Sequence, residues 1–270
     1  MQSITLSSDL QIPQLGLGTW QLTGEMCTQA VLKALELGYR HIDTAWIYDN
    51  QESIGKALQE NTIDRKELFI TSKVWRDQLQ HDAVLSQCQE TLASLKTDYL
   101  DLYLIHWPNN SIPLSETIRA LNKLVDDGKI KNIGVSNFNI ENCKTAVELS
   151  KHPITVNQVE YHPYLNQESL RTFCKDQNIV ITAYSPLARG HVLTDSTIQE
   201  IAQKTGKSPC QVTLRWLIQK GLIVIPKASS EPHIRENLDV FDWELSSVDV
   251  EKINSLNKDS REVNPGFSEF

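Results

Sequence analysis

The sequence predicts an α/β fold in which eight parallel strands and their helices form a (β/α)₈ TIM barrel with an N-terminal β-hairpin. Two observations support this. Short apolar runs recur along the 270 residues, and segments with helical spacing separate them. No Pro/Gly/Ser-rich linker or charge block divides the chain. Since such barrels typically take about 250 residues, we expect residues 1–270 to form a single domain.

The apolar runs give the predicted positions of the eight strands. They occupy residues 14–20, 40–45, 68–75, 100–107, 132–138, 155–161, 180–187 and 222–229. Segments such as AVLKALELG and TIRALNKLVDDG lie between them and have the spacing of amphipathic helices. The opening stretch ITLSSDLQIP predicts a short hairpin before the first strand, placed to close the floor of the barrel.

An open, doubly wound sheet is the alternative architecture. It would normally carry G-x-G-x-x-G after its first strand, where glycines permit a tight turn and close approach of a pyrophosphate. Here Gly16 and Gly18 are followed by Thr-Trp-Gln, so the third glycine is missing. The pattern therefore favours the barrel.

Composition excludes several classes of partner. The net charge of −8 argues against nucleic acid or an anionic membrane as the main partner. The sequence shows neither a signal peptide nor an apolar run of the ~20 residues that a membrane span needs. The five cysteines are scattered singly, without metal-ligand spacing. We therefore expect a cytoplasmic protein without a metal site.

Polar side chains interrupt the apolar runs near the end of each strand. In chain order they are Asp43, Tyr48, Lys73, His106, Ser136, Asn137, Gln158, Tyr184, Ser185 and Lys227. In a parallel barrel the carboxyl ends of all strands meet at one mouth, where the loops form the active face. The pattern predicts that these side chains converge there.

Taken singly, each residue has an ordinary structural explanation. Asp43 could cap a helix, Lys73 could extend to the rim, and His106 could be a half-buried histidine with satisfied hydrogen bonds. Their convergence favours a site, because an aspartate and a lysine on adjacent buried strands are costly unless they pair.

The chemistry that this group indicates is proton transfer to a carbonyl oxygen. A tyrosine with an ordinary pKa near ~10 is a weak acid at neutral pH. A nearby cation lowers a tyrosine pKa by roughly one to three units, and Lys73 would supply that cation. Asp43 would orient the lysine, and His106 would position the substrate oxygen. Tyr48 would then act as general acid in reduction, or as base in the reverse oxidation.

Nine stretches, in order along nearly the whole chain, carry a resemblance to a known family. They are GLGTWQL, YRHIDTAWIYDNQESIG, FITSKVW, YLDLYLIHWP, IGVSNF, NQVEYHPYL, AYSPLARG, IPKAS and RENL. The chain resembles the aldo-keto reductases, and looks most like the bacterial 2,5-diketo-D-gluconate and methylglyoxal reductases. The resemblance implies a barrel that holds NADPH and a catalytic tetrad of Asp43, Tyr48, Lys73 and His106.

The resemblance also implies how the cofactor is held. Ser136, Asn137 and Gln158 correspond to residues that bind the nicotinamide carboxamide, and Tyr184 to the aromatic ring on which the nicotinamide stacks. The remaining implied cofactor residues are Ser185, Leu187, Arg189 and Gly190 for the pyrophosphate, Lys227 and Ser229 for the 2′-phosphate, and Glu236 and Asn237 near the adenine.

One departure from the family pattern concerns the 2′-phosphate. Many relatives have Ser or Thr after the lysine and an arginine six residues beyond it, whereas this chain has Ala228 and His233. Arg235 is a further cation, although helical spacing would point it elsewhere. We expect a preference for NADPH that rests on Lys227, with a smaller margin over NADH.

The substrate cleft is expected at the same mouth. The resemblance implies that it is lined by Trp20, Ile47, Tyr48, Trp75, His106 and Trp107. Because the loop after His106 and the C-terminal tail are short, we expect small aldehydes, α-dicarbonyls or keto-sugars as substrates. The resemblance further implies a monomer. Two alternatives stay open: a dehydrogenase working in the oxidative direction, and a nicotinamide-binding redox sensor with little turnover.

Overall fold

The structure is a computed structural model that describes residues 2–6 and 10–268. Residues 7–9, which fall within the predicted hairpin, lie outside the described residues. The described strands are β1 (Ser3–Thr5), β2 (Gln11–Pro13), β3 (Leu17–Gly18), β4 (His41–Asp43), β5 (Phe69–Val74), β6 (Leu102–Ile105), β7 (Ile133–Ser136), β8 (Ile154–Glu160), β9 (Val180–Tyr184) and β10 (Ile223–Val224). The described α-helices are α1 (Gly24–Glu36), α2 (Gln51–Glu60), α3 (His81–Leu95), α4 (Leu114–Asp126), α5 (Ile140–Leu149), α6 (Glu168–Asp176), α7 (Ser196–Thr205), α8 (Pro209–Gln219), α9 (Glu231–Leu238) and α10 (Ser247–Asn254).

Strands β3 to β10 form one parallel sheet in chain order, and this sheet closes on itself. Leu15 pairs with Val224, and Gly18 pairs with Lys227, so the first strand meets the last. The amide of Gly16 donates to the carbonyl of Val224 at 2.9 Å across this seam. Because an open sheet would leave two free edges, the (β/α)₈ barrel is confirmed and the doubly wound alternative is wrong.

The N-terminal hairpin covers the floor of the barrel. Strands β1 and β2 pair antiparallel, with Ile4 opposite Ile12. Ile12 is fully buried in an apolar cluster that includes Phe69, Leu102 and Ile223. These three residues begin β5, β6 and β10, so the hairpin packs against the amino ends of the strands and leaves the other end of the barrel open.

Most helices cover the outside of the barrel with one apolar face, whereas α8 is buried on all sides from Cys210 to Ile218. In α4 the buried residues include Ile118, Leu121 and Leu124, which recur every three residues and so share a face. Helix α8 starts at Pro209 after a capping box formed by Ser208 and Gln211. Within the described part of the chain, none of the helices combines the length and apolarity needed to cross a membrane.

Candidate active site

Four side chains that were predicted to converge lie on neighbouring strands at the open mouth. Asp43 is the last residue of β4, Lys73 is next to last in β5, and His106 directly follows β6. Tyr48 ends a short 3₁₀ helix, Trp46–Tyr48, in the loop after β4. Since β4, β5 and β6 are adjacent and parallel, these positions meet at one side of the mouth.

Asp43 and Lys73 form a buried ion pair. Lys73 Nζ lies 2.6 Å from Asp43 Oδ1, with side-chain exposures of 0% and 3%. The ammonium also donates to the carbonyl of Thr44 at 2.8 Å. The second Asp43 oxygen accepts a bond from Gln158 Nε2 at 2.7 Å. Asp43 is therefore not a helix cap, and Lys73 does not extend to the rim.

Tyr48 and His106 lie next to this pair. Lys73 Nζ is 5.0 Å from the centroid of the Tyr48 ring, close enough for a cation–π attraction. The Tyr48 and His106 rings meet edge to face with centroids 5.6 Å apart. Among the described residues, His106 Nδ1 is buried without a hydrogen-bond partner. The four residues of the predicted tetrad thus form one cluster.

The acidity of Tyr48 differs from what the sequence predicts. We expected Lys73 to lower the pKa of the phenol, but burial raises this pKa, and the Asp43 carboxylate adds to the effect. The physical reason is that Asp43 compensates the charge of Lys73 at 2.6 Å, so little net positive potential reaches the phenol. In this state Tyr48 is a protonated phenol, which is the form that a proton donor needs.

Lys73 and His106 are shifted towards their neutral forms. Burial lowers the pKa of Lys73, while the charge and hydrogen bond of Asp43 act in the opposite direction. Burial and the nearby Lys73 charge hold the pKa of His106 well below its usual range. His106 is therefore a neutral imidazole at neutral pH, able to donate one N–H bond without carrying a charge.

The three amide-binding candidates form a network with the ion pair. Ser136 Oγ donates to the carbonyl of Gln158 at 2.8 Å, and Asn137 Nδ2 donates to the carbonyl of His106 at 3.0 Å. The Tyr184 hydroxyl donates to Asn137 Oδ1 at 2.9 Å. Burial, followed by the charge of Glu160, raises the pKa of Tyr184, so this phenol stays protonated. These bonds hold the Tyr184 ring beside the tetrad.

The loop after β9 contains a cluster of left-handed backbone conformations. Ser185, Ala188, Arg189 and Gly190 all have positive φ, of 46°, 45°, 50° and 99°. The amides of Ala188 and Gly190 donate to the carbonyls of Ser185 and Leu187 at 2.9 and 2.8 Å, so bonds within the loop fix its shape. Leu187, between them, has φ −99°. The Arg189 guanidinium lies 5.6 Å from the centroid of the Trp20 ring, across the mouth.

The remaining cofactor candidates follow β10. Lys227 is exposed, and its Nζ donates to Gln21 Oε1 at 3.2 Å. Ser229 is exposed, Glu236 is half-buried on α9, and Asn237 is buried with its Oδ1 bonded to the Cys210 thiol at 3.1 Å. These four residues lie in the loop and in the helix α9 that follow the last strand.

Two positions at which the resemblance implies contacts with a 2′-phosphate carry Ala228 and His233 in this chain. Ala228 is buried and His233 is exposed. The Arg235 guanidinium donates to Glu231 Oε1 at 2.8 Å, four residues earlier on α9. Arg235 is thus engaged in an ion pair with its own helix, which agrees with the direction expected from helical spacing.

Aromatic side chains form the walls of the mouth. Trp75 lies edge to face with His106 at 5.3 Å, and Trp107 is buried. Trp20 and Ile47 are exposed by 44% and 42%, which is high for such large apolar side chains. This arrangement is that of an open apolar cleft above the tetrad.

Two residues at the mouth were missed by sequence reasoning. The ring of Phe267, in the C-terminal tail, lies 6.0 Å from Trp75 and 5.5 Å from Trp107. Glu160 is a fully buried carboxylate at the end of β8. Glu160 could have been found by the rule that singled out Asp43, because it too is a charge ending an apolar strand. For Phe267 the only signal is an aromatic residue in a polar tail.

The residues present fit a nicotinamide dinucleotide. The Tyr184 ring stands beside the tetrad, Arg189 is a cation in the loop after β9 at the mouth, and Lys227 is a cation that follows the last strand. No group of three or more His, Cys, Asp or Glu side chains able to hold a metal occurs among residues 2–6 and 10–268.

Comparison with known proteins gives consistent matches over nearly the full length. The model of the "Aldo/keto reductase family" matches residues 14–258. Glyoxal reductase of Bacillus subtilis (strain 168) is 45% identical over 269 residues, which is 99% of this chain and 97% of that protein.

Two solved structures share the fold closely. One, assigned as a 2,5-diketo-D-gluconic acid reductase B, has a TM-score of 0.92 at 41% identity and covers 94% of this chain and 91% of its own. The other is a Bombyx mori aldo-keto reductase in complex with NADP, with a TM-score of 0.92 at 36% identity, covering 97% and 95%. The chain therefore belongs to the aldo/keto reductase family, whose enzymes reduce carbonyl compounds with NAD(P)H.

Proposed function

We propose that this protein is an NADPH-dependent reductase that converts small aldehydes, α-dicarbonyls or keto-sugars to alcohols, with Tyr48 as the general acid. The observation that carries the proposal is the buried Asp43–Lys73 pair directly beside Tyr48 and His106 at an open apolar mouth. Burying such a pair is costly, and a chain tolerates that cost where the charges serve chemistry.

Proton transfer is assigned to Tyr48. The raised pKa keeps the phenol protonated before reaction, so a proton is available for the developing alkoxide. As the proton leaves, Lys73 Nζ, 5.0 Å from the ring centroid, offsets part of the cost of the new phenolate, because Asp43 compensates much but not all of its charge. The neutral His106 donates a hydrogen bond to the same substrate oxygen and orients the carbonyl.

Cofactor binding is assigned to the part of the mouth that runs from β7 to α9, next to the tetrad. When bound, NADPH supplies the hydride. Ser136, Asn137 and Gln158 hold the carboxamide end, and Tyr184 supports the ring. Ser185, Leu187, Arg189 and Gly190 bind the pyrophosphate, Lys227 and Ser229 bind the 2′-phosphate, and Glu236 and Asn237 bind the adenine end.

The proposed preference for NADPH rests on Lys227 alone among the charged candidates. Arg235 is paired with Glu231 on its own helix. The margin over NADH is therefore proposed to be smaller than in relatives that carry an arginine at the position of His233. The Bombyx mori relative, solved in complex with NADP, supports this choice of cofactor.

The proposed substrates follow from the cleft and from the names of relatives. Trp20, Ile47, Trp75 and Trp107 form apolar walls, which discriminate weakly between small substrates, by only about one to three kcal/mol per methylene. A glyoxal reductase and a protein assigned as a diketo-gluconic acid reductase support dicarbonyls and keto-sugars. We further propose a cytoplasmic monomer of one domain, acting on small molecules rather than on nucleic acid or membranes.

The test is an absorbance assay with methylglyoxal, run with NADPH and with NADH, on the unmodified protein and two variants. Tyr48→Phe removes the proposed acid, and turnover should fall by on the order of 10²–10⁴-fold while NADPH still binds. Tyr99→Phe is the matched control. Tyr99 lies in the loop before β6, and its hydroxyl donates to the carbonyl of Arg65. Removing this hydroxyl should leave turnover unchanged.

Each result of the assay is decisive. Oxidation of NADPH faster than NADH supports both the reaction and the role of Lys227. Equal rates contradict the proposed preference. Undiminished turnover in Tyr48→Phe contradicts the role of Tyr48. Binding of either nucleotide without turnover of any carbonyl contradicts the reductase and favours a redox-sensing module.

A further inference from the structure

Glu160 is a buried carboxylate at the mouth that the proposed chemistry does not use. It is the last residue of β8, and its side chain is fully buried. A buried carboxylate is costly unless hydrogen bonds satisfy it. The partners of this carboxylate therefore indicate what it does.

Most of these partners belong to the C-terminal tail, defined here as residues 257–268. The amide of Glu262 donates to Glu160 Oε1 at 2.6 Å, and the amide of Val263 donates to Oε2 at 3.0 Å. His162 Nε2 lies 2.8 Å from Oε1. Two successive backbone N–H groups thus bind one carboxylate. Because the donors are backbone groups, these bonds fix the path of the tail backbone.

The tail is attached on one side of the mouth and ends on the other. On the β8 side, the amides of Lys258 and Ser260 donate to the carbonyl of Tyr164 at 3.2 and 3.0 Å. At the far end, the Phe267 ring packs against Trp75 and Trp107, which follow β5 and β6. The guanidinium of Arg76 lies 4.3 Å from the centroid of the same ring. The tail therefore crosses the mouth and adds a wall to the cleft.

The attachment point limits where Phe267 can go. Val263 and Phe267 are four residue steps apart, which span at most about 14 Å when fully extended. Without the bonds to Glu160, the next bonded backbone amide is that of Ser260, and the reach rises to at most about 25 Å, since the side chains of Arg261 and Glu262 also bond Gln167 and His191. Because the accessible volume grows with the cube of the reach, Phe267 would be diluted about fivefold over the cleft.

We propose that Glu160 is a positioning residue: its buried carboxylate clamps the C-terminal tail and so holds Phe267 against the substrate cleft, where the ring sets substrate affinity. The part of this proposal that concerns substrate rests on the proposed reductase function. Since Phe267 touches the tryptophan walls and not the Asp43–Lys73 pair, the clamp should govern KM far more than kcat.

The experiment compares Glu160→Gln, Phe267→Ala and the double variant, with phenylglyoxal as an aromatic dicarbonyl probe. A glutamine keeps the shape but presents an NH₂ group to one of the two tail amides. Glu160→Gln should raise KM about fivefold with kcat within about twofold of the unmodified protein. Phe267→Ala should raise KM at least as much, whereas Phe267→Tyr, which keeps an aromatic ring, should have the KM of the unmodified protein. The double variant should have the same KM as Phe267→Ala.

The matched control is Glu168→Gln. Glu168 is the carboxylate that begins α6, and its ion-pair partners, Arg171 and Lys220, lie outside the tail. This variant removes a nearby charge and its ion pairs, so it reports the effect of lost stability alone. It should leave KM unchanged.

A second readout needs no activity. Hydrogen exchange of the Glu262 and Val263 amides is measured in the folded protein, by mass spectrometry of the peptide that contains the tail after digestion. It should be at least about tenfold faster in Glu160→Gln, because bonds to a charged acceptor are lost. Unchanged exchange overturns the clamp. Faster exchange with unchanged KM overturns the link to the cleft. If the unmodified protein turns over no carbonyl, the proposed function fails, and the exchange measurement still decides the clamp.

Discussion

Asp43 and Lys73 show how a single residue at the mouth depends on its partners. Each is almost fully excluded from water, and the pair is completed by the carbonyl of Thr44 and the amide of Gln158. Ion pairs of this kind often contribute little net stability, since desolvation offsets the attraction. Removing one member leaves the other as an uncompensated charge.

We therefore predict that Lys73→Met is much more destabilising than Asp43→Asn/Lys73→Met. The single variant leaves the buried Asp43 carboxylate without a positive partner and should lose roughly 3–5 kcal/mol of unfolding free energy. The double variant replaces the carboxylate with a neutral amide and should recover a large part of that loss. Urea denaturation monitored by circular dichroism measures both values, and equal losses would contradict the prediction. Neither variant should retain substantial turnover.

His41 predicts how stability changes in acid. It begins β4, is fully buried against Phe69, and has a pKa lowered to about 4, chiefly by burial. Between pH 6.5 and 4 the unfolded chain therefore binds a proton that the folded chain does not, so stability falls as the pH falls. Above pH 6.5 His41 is neutral in both states and does not change the stability. Between pH 6.5 and pH 4 the loss of unfolding free energy adds up to roughly 3 kcal/mol.

The corresponding variant is His41→Asn, which cannot take up a proton. The decline of Tm between pH 7 and 4 should be smaller in this variant, with the lowered pKa of His106 accounting for part of the decline that remains. Exposed His233→Asn is the control and should follow the unmodified protein. Parallel curves for all three proteins would rule out His41 as a source of the acid sensitivity.

At the scale of elements, the barrel is closed where its strands are shortest. Strands β3 and β10 have two residues each, and the seam between them is made by single pairs such as Gly18 with Lys227. A Cβ on Gly18 would lie 2.4 Å from the carbonyl oxygen of Ile225. Only a glycine allows the two strands to approach this closely.

We predict that Gly18→Ala lowers stability by about 1–3 kcal/mol, the usual cost of forcing extra volume into a packed site. Because the displaced backbone carries Lys227, affinity for NADPH should fall as well. Gly266→Ala is the control, since a Cβ there meets nothing within 4 Å and the backbone has no positive φ. Thermal unfolding and NADPH fluorescence titration measure the two effects; an unaltered Gly18→Ala protein would show that the seam can adjust freely.

For the whole molecule, cofactor binding and folding are linked. The proposed NADPH residues extend from β7 to α9, so a bound dinucleotide would hold several barrel units together. A ligand that binds only the folded state at 100 times its Kd adds about 2.7 kcal/mol. In a domain of this size that corresponds to a rise in Tm of roughly 5–10 °C.

We accordingly predict that NADP⁺ raises Tm more than NAD⁺ does at equal concentration. Lys227→Gln should remove most of this difference, while Lys175→Gln, a change on the outer helix α6, should leave it intact. Differential scanning fluorimetry measures the shifts. Equal shifts with both nucleotides in the unmodified protein would mean that Lys227 does not select the 2′-phosphate.

Much of the fold could be predicted from the chain because strand and helix periods are local properties. Each of the eight predicted runs overlaps a strand of the barrel. Seven strands are shorter than their runs, as with Leu17–Gly18 inside the predicted 14–20, whereas β8 (Ile154–Glu160) begins one residue before the predicted 155–161. The predicted runs extend past the ends of the strands because residues such as Trp75 and Trp107 are also apolar, although they line the mouth rather than belong to the sheet. Periodicity alone does not separate the two kinds of apolar environment.

By itself, the sequence determined the order of strands and helices, the family, and the residue types at the end of each strand, since these follow from local pattern and motif. Only the tertiary structure decided which atoms pair. Asp43 bonds both Lys73 and Gln158, although Gln158 lies 115 positions further along the chain. It also decided the direction of the Tyr48 pKa and brought Phe267 to the cleft through Glu160. Burial and distance depend on the packing of the whole chain, and no local stretch contains them.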